Sequence, residues 1–292
     1  MRFEQQLRTF LRVLEEYPAD SPLTRFLPGF FKQNKQMGST DRRRAGHLIY
    51  NYFRLGKACA HLPAEQRLFL AEYLCTSDEN PFLYHFRPDL HSSIHTSIDE
   101  KVALLSKTES FNLDDVFPFT RHLSAGVDKD AFLKSFFTQP DLFIRVHPGK
   151  TGFVRAQLEE AGVTFREIAE SCFSLDNGTK LDKIFQEPRP FEIQDLSSQR
   201  TAGYFQPHPK EQWWDACAAS GGKSLLLFHQ QPDVRLVVSD VRESILSNLD
   251  ERFQAAGLHG YQKKVLDLTK TVDPELHHYE FDGIILDAPC SG

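Results

Sequence analysis

Carboxylate and thiol side chains stand at regular intervals in the last third of this 292-residue chain. Asp240, Asp267 and Asp287 each end or follow an apolar run, and Cys290 comes shortly after the last of them. A segment of small residues, DACAASGGKS at 215–224, precedes all four. Carboxylates placed in this way can accept hydrogen bonds from the hydroxyl and amino groups of a nucleoside, and a thiol can serve as a nucleophile. The pattern predicts an enzyme with a nucleotide-like cofactor.

Strands and helices alternate around these residues. The predicted strands, which share apolar runs, are 213–216, 236–240, 263–268 and 281–288. Between them, Gly221 and Gly222 open one helix, and a second runs over 242–256. Short loops between such elements are typical of a doubly wound parallel sheet, in which ligands bind beyond the carboxyl ends of the strands. Residues 196–292 are therefore predicted to form part of a Rossmann-type α/β domain.

The small-residue loop discriminates between three cofactors. A phosphate-binding P-loop needs GxxxxGKS, but Cys217 stands where the first glycine belongs. A dinucleotide site needs GxGxxG, and the loop offers only the adjacent pair Gly221 and Gly222. S-adenosylmethionine carries no phosphates, so small residues such as Ala218 and Ala219 suffice for close approach of the backbone. The loop therefore favours S-adenosylmethionine.

Two acids complete the expected cofactor site. Asp240, at the end of the second strand, can accept both ribose hydroxyls, as acids do in other doubly wound folds. Asp267, after the third strand, can accept the adenine amino group, although a turn residue or helix cap would look the same. Its position after the strand favours the cofactor role.

The first 139 residues are predicted to be helical, because apolar residues recur at intervals of three and four. Ser39, Thr40 and Asp41 are candidate N-caps for a helix that carries a basic cluster, Arg42 to Arg44. Such a cluster can contact RNA phosphates or simply form a solvated helix start. Residues 140–195 are predicted to form a small α/β subdomain with strands at 142–146 and near 190 and a helix over 152–161.

Composition limits the protein class. The chain is 40% hydrophobic and 25% charged with a net charge of −6, as in an ordinary globular protein, so nucleic-acid binding requires a local basic patch. No uninterrupted apolar stretch suggests a signal peptide or membrane span, and the five cysteines form no CxxC pair. We therefore expect a cytoplasmic protein without a membrane partner or a metal site.

Three motifs read together resemble the RNA cytosine-5 methyltransferases, the family that includes bacterial ribosomal RNA enzymes and the NOP2 and Sun proteins. They are EIQDLSSQ (192–199), DACAASGGKS and DAPCSG (287–292), in the family's order. The segment FFKQNKQMGSTDRRRAGHLIYNYFRLG (30–56) resembles the NusB-like RNA-binding domain of the bacterial members. Ser220 departs from the family, which more often has proline there.

The resemblance implies an S-adenosylmethionine-dependent enzyme that methylates carbon 5 of a cytosine, with ribosomal RNA as the expected partner. The implied cofactor contacts are Cys217, Ala218, Ala219, Gly222, Lys223, Asp240, Asp267 and Asp287. The implied catalytic residues are Asp287, which stabilises charge on the base, Lys223, which orients Asp287 or the cofactor, and Cys290, which helps release the product.

Carbon 5 of cytosine becomes reactive only after a thiolate adds to carbon 6. In the resembled family a later cysteine makes this attack, so we expect the nucleophile beyond Gly292 and the present chain to be an inactive fragment. The apolar run at 284–286 is typical of a parallel strand buried on both faces in the middle of a sheet. In such a fragment we expect this strand to be poorly protected, with unpaired backbone groups exposed beside its apolar side chains. The alternatives are a non-catalytic RNA-binding scaffold and a small-molecule methyltransferase, but the latter leaves the basic cluster without a purpose.

Overall fold

A computed structural model describes residues 2–18 and 20–288. The chain forms two compact units, 1–139 and 140–292, which are described separately. No helix within the described ranges is both long and apolar enough to cross a membrane.

The first unit is helical, as predicted. Its helices are α1 (Arg2–Glu16), α2 (Leu23–Gln33), α3 (Ser39–Arg54), α4 (Ala64–Cys75), α5 (Pro81–Phe86), α6 (Pro88–His91), α7 (Ile98–Thr108) and α8 (Lys129–Ser135). Short 3-10 turns span Leu113–Val116 and Thr120–His122. Apolar side chains such as Phe10, Leu48 and Leu70 pack in one core. The likeness to NusB-like domains remains a prediction.

The start of α3 differs from the prediction. Gly38, with extended backbone, occupies the N-cap position, and no side chain caps the helix. Ser39, Thr40 and Asp41 lie inside the first turn, so the N-cap role expected of them is wrong. The acid in that turn still complements the positive end of the helix dipole.

A buried carboxylate joins three helices of this unit. Glu72 of α4 is fully buried and accepts hydrogen bonds from Arg44 (2.8 Å) and Asn51 (2.7 Å) of α3. Asn80, which precedes α5, donates a third bond (3.0 Å). The charge of Glu72 is therefore paired and hydrogen-bonded, as burial requires.

The second unit begins with a four-stranded antiparallel sheet in the order β2-β3-β1-β4. Its elements are β1 (Leu142–Val146), α9 (Thr151–Glu160), β2 (Phe165–Ala169), β3 (Cys172–Leu175), a 3-10 turn (Leu181–Lys183), β4 (Phe191–Ile193) and α10 (Leu196–Arg200). The strands at 142 and 191 and the helix between them match the sequence prediction, whereas β2 and β3 were not predicted.

A second sheet of four parallel strands follows, in the order β7-β6-β5-β8. Its elements are a 3-10 turn (Thr201–Tyr204), β5 (Gln212–Asp215), α11 (Gly222–Gln230), β6 (Arg235–Asp240), α12 (Glu243–Ala255), β7 (Tyr261–Val265), α13 (Asp273–Leu276) and β8 (Gly283–Ile285). The predicted parallel α/β sheet is thereby confirmed. The boundary drawn at residue 195 remains a prediction.

Strand β8 is the last strand in the order of this sheet and pairs with β5. A Cβ atom on Gly283 would lie 2.6 Å from ring atoms of Trp213, so glycine lets the two strands pair closely. Ile285 is buried, but Ile284 and Leu286 are 55% and 66% exposed. Because alternate side chains point to opposite faces, this strand is buried on one face and exposes apolar side chains on the other, in line with the poor protection expected of it.

Candidate cofactor site

The strand order reverses at β5, and in such sheets this reversal opens a crevice at the carboxyl ends of the strands. A cavity of about 760 Å³ lies there. Its lining includes five of the residues that the sequence assigns to the cofactor: Cys217, Ala219, Asp240, Asp267 and Asp287. Side chains from the loops after β5, β6, β7 and β8 are thus brought to one place.

Asp240 is the buried carboxylate of this cavity, with 6% of its surface exposed. It accepts hydrogen bonds from the backbone N–H of Ala219 (3.1 Å) and from the backbone N–H (3.0 Å) and Nε (3.1 Å) of Arg242. Burial opposes ionisation, but these bonds outweigh it and lower the pKa of Asp240. The carboxylate is ionised at neutral pH and can accept further donors.

Asp267 lines the same cavity and also organises its own turn. It accepts hydrogen bonds from the hydroxyl (2.7 Å) and N–H (3.1 Å) of Thr269 and pairs with Lys270 at 3.3 Å. The Thr269 hydroxyl is the main reason that the pKa of Asp267 is lowered. The geometry fits a turn residue as well as an adenine acceptor, so the adenine role remains a prediction.

A smaller cavity of about 190 Å³ also borders the loop after β5. Ala218, Gly222 and Lys223 line it, and Asp287 borders both cavities. Lys223 forms an ion pair with Asp287. The sequence analysis expected Lys223 to orient either Asp287 or the cofactor, and the structure shows the contact with Asp287.

Asp215, at the end of β5, is a candidate site residue that the sequence analysis did not single out. It is 1% exposed, lines the smaller cavity and accepts a hydrogen bond of 2.6 Å from Ser224, while its Oδ1 has no partner among the described residues. Burial, reinforced by the charge of Asp287, raises the pKa of Asp215 to about 6. A buried acceptor without a donor is the kind of group that a ligand can satisfy.

Cys217 borders both cavities, and burial raises the pKa of its thiol, helped by the negative charges of Asp240, Asp215 and Asp287. A raised pKa is the opposite of what a nucleophilic cysteine requires, so Cys217 suits a contact role. Cys290 lies outside the described residues. Within those residues, no group of three metal-ligating side chains comes together.

Arg252 of α12 contacts the loop after β5 and borders the smaller cavity. Its guanidinium donates to the carbonyl (2.8 Å) and hydroxyl of Ser220 and is ion-paired with Glu192 of β4. The second oxygen of Glu192 lies 3.2 Å from Nε2 of His147. Burial would raise the pKa of Glu192, but these partners outweigh it and lower the pKa to about 2.

The basic cluster of α3 is smaller than the sequence suggests. Arg44 is committed to the buried Glu72, and its guanidinium lies 5.1 Å from the centre of the Phe82 ring. Arg42 donates to the carbonyl of Met37 (2.9 Å) but is partly accessible, and Arg43 is exposed. A phosphate contact by Arg44 is therefore not expected.

Comparisons with known proteins agree with this geometry. Residues 202–292 match the family described as 16S rRNA methyltransferase RsmB/F. A protein of Yersinia enterocolitica named ribosomal RNA small subunit methyltransferase B is 37% identical over 99 residues, which are 34% of this chain and 23% of the relative. A Synechocystis protein named probable ribosomal RNA small subunit methyltransferase B is 32% identical over 169 residues, 55% of this chain and 37% of the relative. The matches thus span about a quarter to a third of these relatives.

Two solved structures share the fold. The structure titled "Crystal Structure of PH0851" covers 97% of this chain and 72% of its own length, with a TM-score of 0.58 and 17% identity. A methyltransferase homologue from Pyrococcus horikoshii covers 65% of this chain and 64% of its own length, with a TM-score of 0.50 and 22% identity. At these identities the likeness concerns the fold, whereas residues 202–292 are similar in sequence to the RsmB/F methyltransferases.

Proposed function

We propose that this protein functions as an enzyme that transfers a methyl group from S-adenosylmethionine to carbon 5 of a cytosine in ribosomal RNA. The observation that carries the proposal is the convergence of Asp240, Asp267 and Asp287 on one cavity beside a loop of small residues. The family match over 202–292 and the names of the relatives support the methyl transfer and the ribosomal RNA.

The side chains that line the two cavities fit S-adenosylmethionine. Asp240 supplies an ionised carboxylate at the wall of the larger cavity that can accept hydrogen bonds from the ribose hydroxyls. The unpartnered oxygen of Asp215 can accept a hydrogen bond from a cationic group such as the ammonium of the methionine part. Cys217 and Ala219 keep the walls of the cavity small. When bound, S-adenosylmethionine supplies an electrophilic methyl group.

Asp287 and Lys223 are the described residues placed for the chemistry. Asp287 is half exposed at the mouth of both cavities, where its carboxylate can accept hydrogen bonds from the edge of an unpaired base. The ion pair with Lys223 fixes the orientation of that carboxylate. The product-release role of Cys290 follows from the resemblance alone.

RNA contact is proposed through the helical unit. Arg42 and Arg43 are the accessible members of the basic cluster, and arginines at a helix surface can bind phosphates without reading sequence. Selection of the target base would then depend on the α/β unit.

Calorimetry tests the cofactor. The chain should bind S-adenosylmethionine or S-adenosylhomocysteine, and Asp240→Ala should weaken binding at least about tenfold, because a charge-assisted hydrogen bond contributes about 1.5–3 kcal/mol. Asp250→Ala, which removes a carboxylate on the exposed side of α12, is the matched control. Equal binding by Asp240→Ala, or binding of NAD or ATP instead, would contradict the assignment.

The substrate is tested in cells. Ribosomal RNA from a strain without the gene should lack 5-methylcytosine at a position that the complemented strain modifies, as bisulfite sequencing would reveal. Complementation with an Asp287→Asn variant should not restore the mark. An unchanged pattern of 5-methylcytosine in the deletion strain would refute ribosomal RNA as the proposed substrate.

A further inference from the structure

The loop after β5 has a conformation that its own sequence does not favour. Ala219 has a positive φ of 47° and Gly221 one of 83°. For a residue with a Cβ atom, this left-handed region costs about 1 kcal/mol or more. The turn therefore needs contacts from outside to keep this shape.

Two sets of contacts hold the turn. On the cavity side, the N–H of Ala219 donates to Asp240 at 3.1 Å. From α12, Arg252 donates to the carbonyl of Ser220 at 2.8 Å and also contacts its hydroxyl. Since Ser220 lies between the two residues with positive φ, Arg252 acts at the centre of the strained segment.

The position of Arg252 is itself fixed by a different sheet. Its Nε donates to Glu192 at 3.1 Å, and a terminal nitrogen of the guanidinium also contacts that carboxylate. Glu192 is 12% exposed and remains ionised because its pKa is near 2. His147 of the loop after β1 approaches the other carboxylate oxygen at 3.2 Å. A chain of charged contacts thus runs from the antiparallel sheet to the cofactor loop.

We propose that Arg252, anchored by Glu192, is a positioning residue that preorganises residues 219–221 for the cofactor. The inference rests on the proposed function for its ligand, but its effect on the loop can be measured without one. Arg252 borders the smaller cavity but does not line the larger one, so its effect on the adenosine part is exerted through the turn and not by contact. The fork of Arg252 serves Ser220 and Glu192 together, which one lysine ammonium does less well.

The test measures two quantities on the full chain, the dissociation constant for S-adenosylhomocysteine and hydrogen exchange at the backbone amides of 217–222. Arg252→Ala should weaken binding about tenfold, the effect of losing one charge-assisted hydrogen bond, and should speed exchange in that segment. Arg252→Lys should be intermediate. Glu192→Gln should also weaken binding and speed exchange. Adding Glu192→Gln to Arg252→Ala should have little further effect, because Glu192 acts on the loop only through the arginine that is already absent.

Arg155→Ala is the control, since it removes an exposed arginine paired with Glu167 on the same unit. It should leave both quantities unchanged. Unaltered exchange and binding in Arg252→Ala, or fully additive losses in the double variant, would overturn the proposal. If Arg252→Ala fails to fold, binding and hydrogen exchange measured on Arg252→Lys and Glu192→Gln test the proposal instead. If the parent binds no S-adenosylhomocysteine, the proposed function fails, and the exchange data alone decide the role of Arg252.

Discussion

Replacement of Gly221 by alanine tests how tightly the cofactor loop packs on α12. An added Cβ would lie 2.9 Å from Cζ of Phe253, closer still to its Cε1, and 3.1 Å from Cγ of Leu249. Phe253 is fully buried and cannot move freely. Overpacking of this kind costs about 1–3 kcal/mol, and the positive φ of 83° adds about 1 kcal/mol. We expect Gly221→Ala to lower the free energy of unfolding by about 3 kcal/mol.

Gly257→Ala is the matched control, because Gly257 has a similar φ of 77° but no atom within 4 Å of an added Cβ. It should cost about 1 kcal/mol, from backbone strain alone. Urea unfolding followed by tryptophan fluorescence measures both, since the two tryptophans, Trp213 and Trp214, lie on β5 and report on this unit. With a slope of about 2 kcal/mol per molar urea, Gly221→Ala should lower the midpoint by about 1.5 M. Equal losses in the two variants would refute the packing argument.

Three further changes test other parts of the molecule. Burial raises the pKa of Asp215 to about 6, above its unfolded value, so protonation of this group favours the folded state as the pH falls from about 7 to about 4. Over this range the free energy of unfolding of the parent should rise relative to that of Asp215→Asn by up to about 3 kcal/mol, as urea titrations at each pH would measure. Parallel curves for the two proteins would refute this prediction. Glu72→Ala should lower the free energy of unfolding of the helical unit by about 3 kcal/mol, as thermal unfolding followed by circular dichroism would measure. Glu79→Ala, which changes an exposed side chain, should lower it by less than about 1 kcal/mol. Equal losses would contradict the role of burial. Reversal of Arg42 and Arg43 to glutamate should weaken binding of a ribosomal RNA fragment and flatten its salt dependence in anisotropy titrations, and an unchanged slope would argue against phosphate contacts.

Strands β5 and β6 could be predicted closely from the sequence because each carries apolar or aromatic residues and ends at an aspartate. Predicted strands at 213–216 and 236–240 lie within one residue of β5 and β6. Strands β2 and β3 were missed, since much of β2 is exposed and its polar residues resemble a turn. Their pairing depends on contacts with β1 that local periodicity does not reveal.

The position of Asp240 at the cavity could be predicted because this residue ends a strand, and the topology of the sheet brings the ends of its parallel strands together. Asp215 was missed because its unpartnered oxygen is a property of the packed interior, not of the motif around it. The link between Glu192, Arg252 and Ser220 joins three distant segments, which no spacing rule connects. The sequence offers Arg44 as a possible RNA contact because it shows the charge of this residue but not the buried partner that neutralises it.

Glu72 restricts the order in which the helical unit can change during evolution. Replacing it alone leaves the donors of Arg44, Asn51 and Asn80 without their shared acceptor. Replacing Arg44 alone leaves a buried anion without its cation, which is costlier still. A route from this cluster to an apolar interior must therefore pass through poorly folded intermediates or change several positions at once. Among related sequences, we expect positions 44, 51, 72 and 80 to vary together, while their exposed neighbours vary independently.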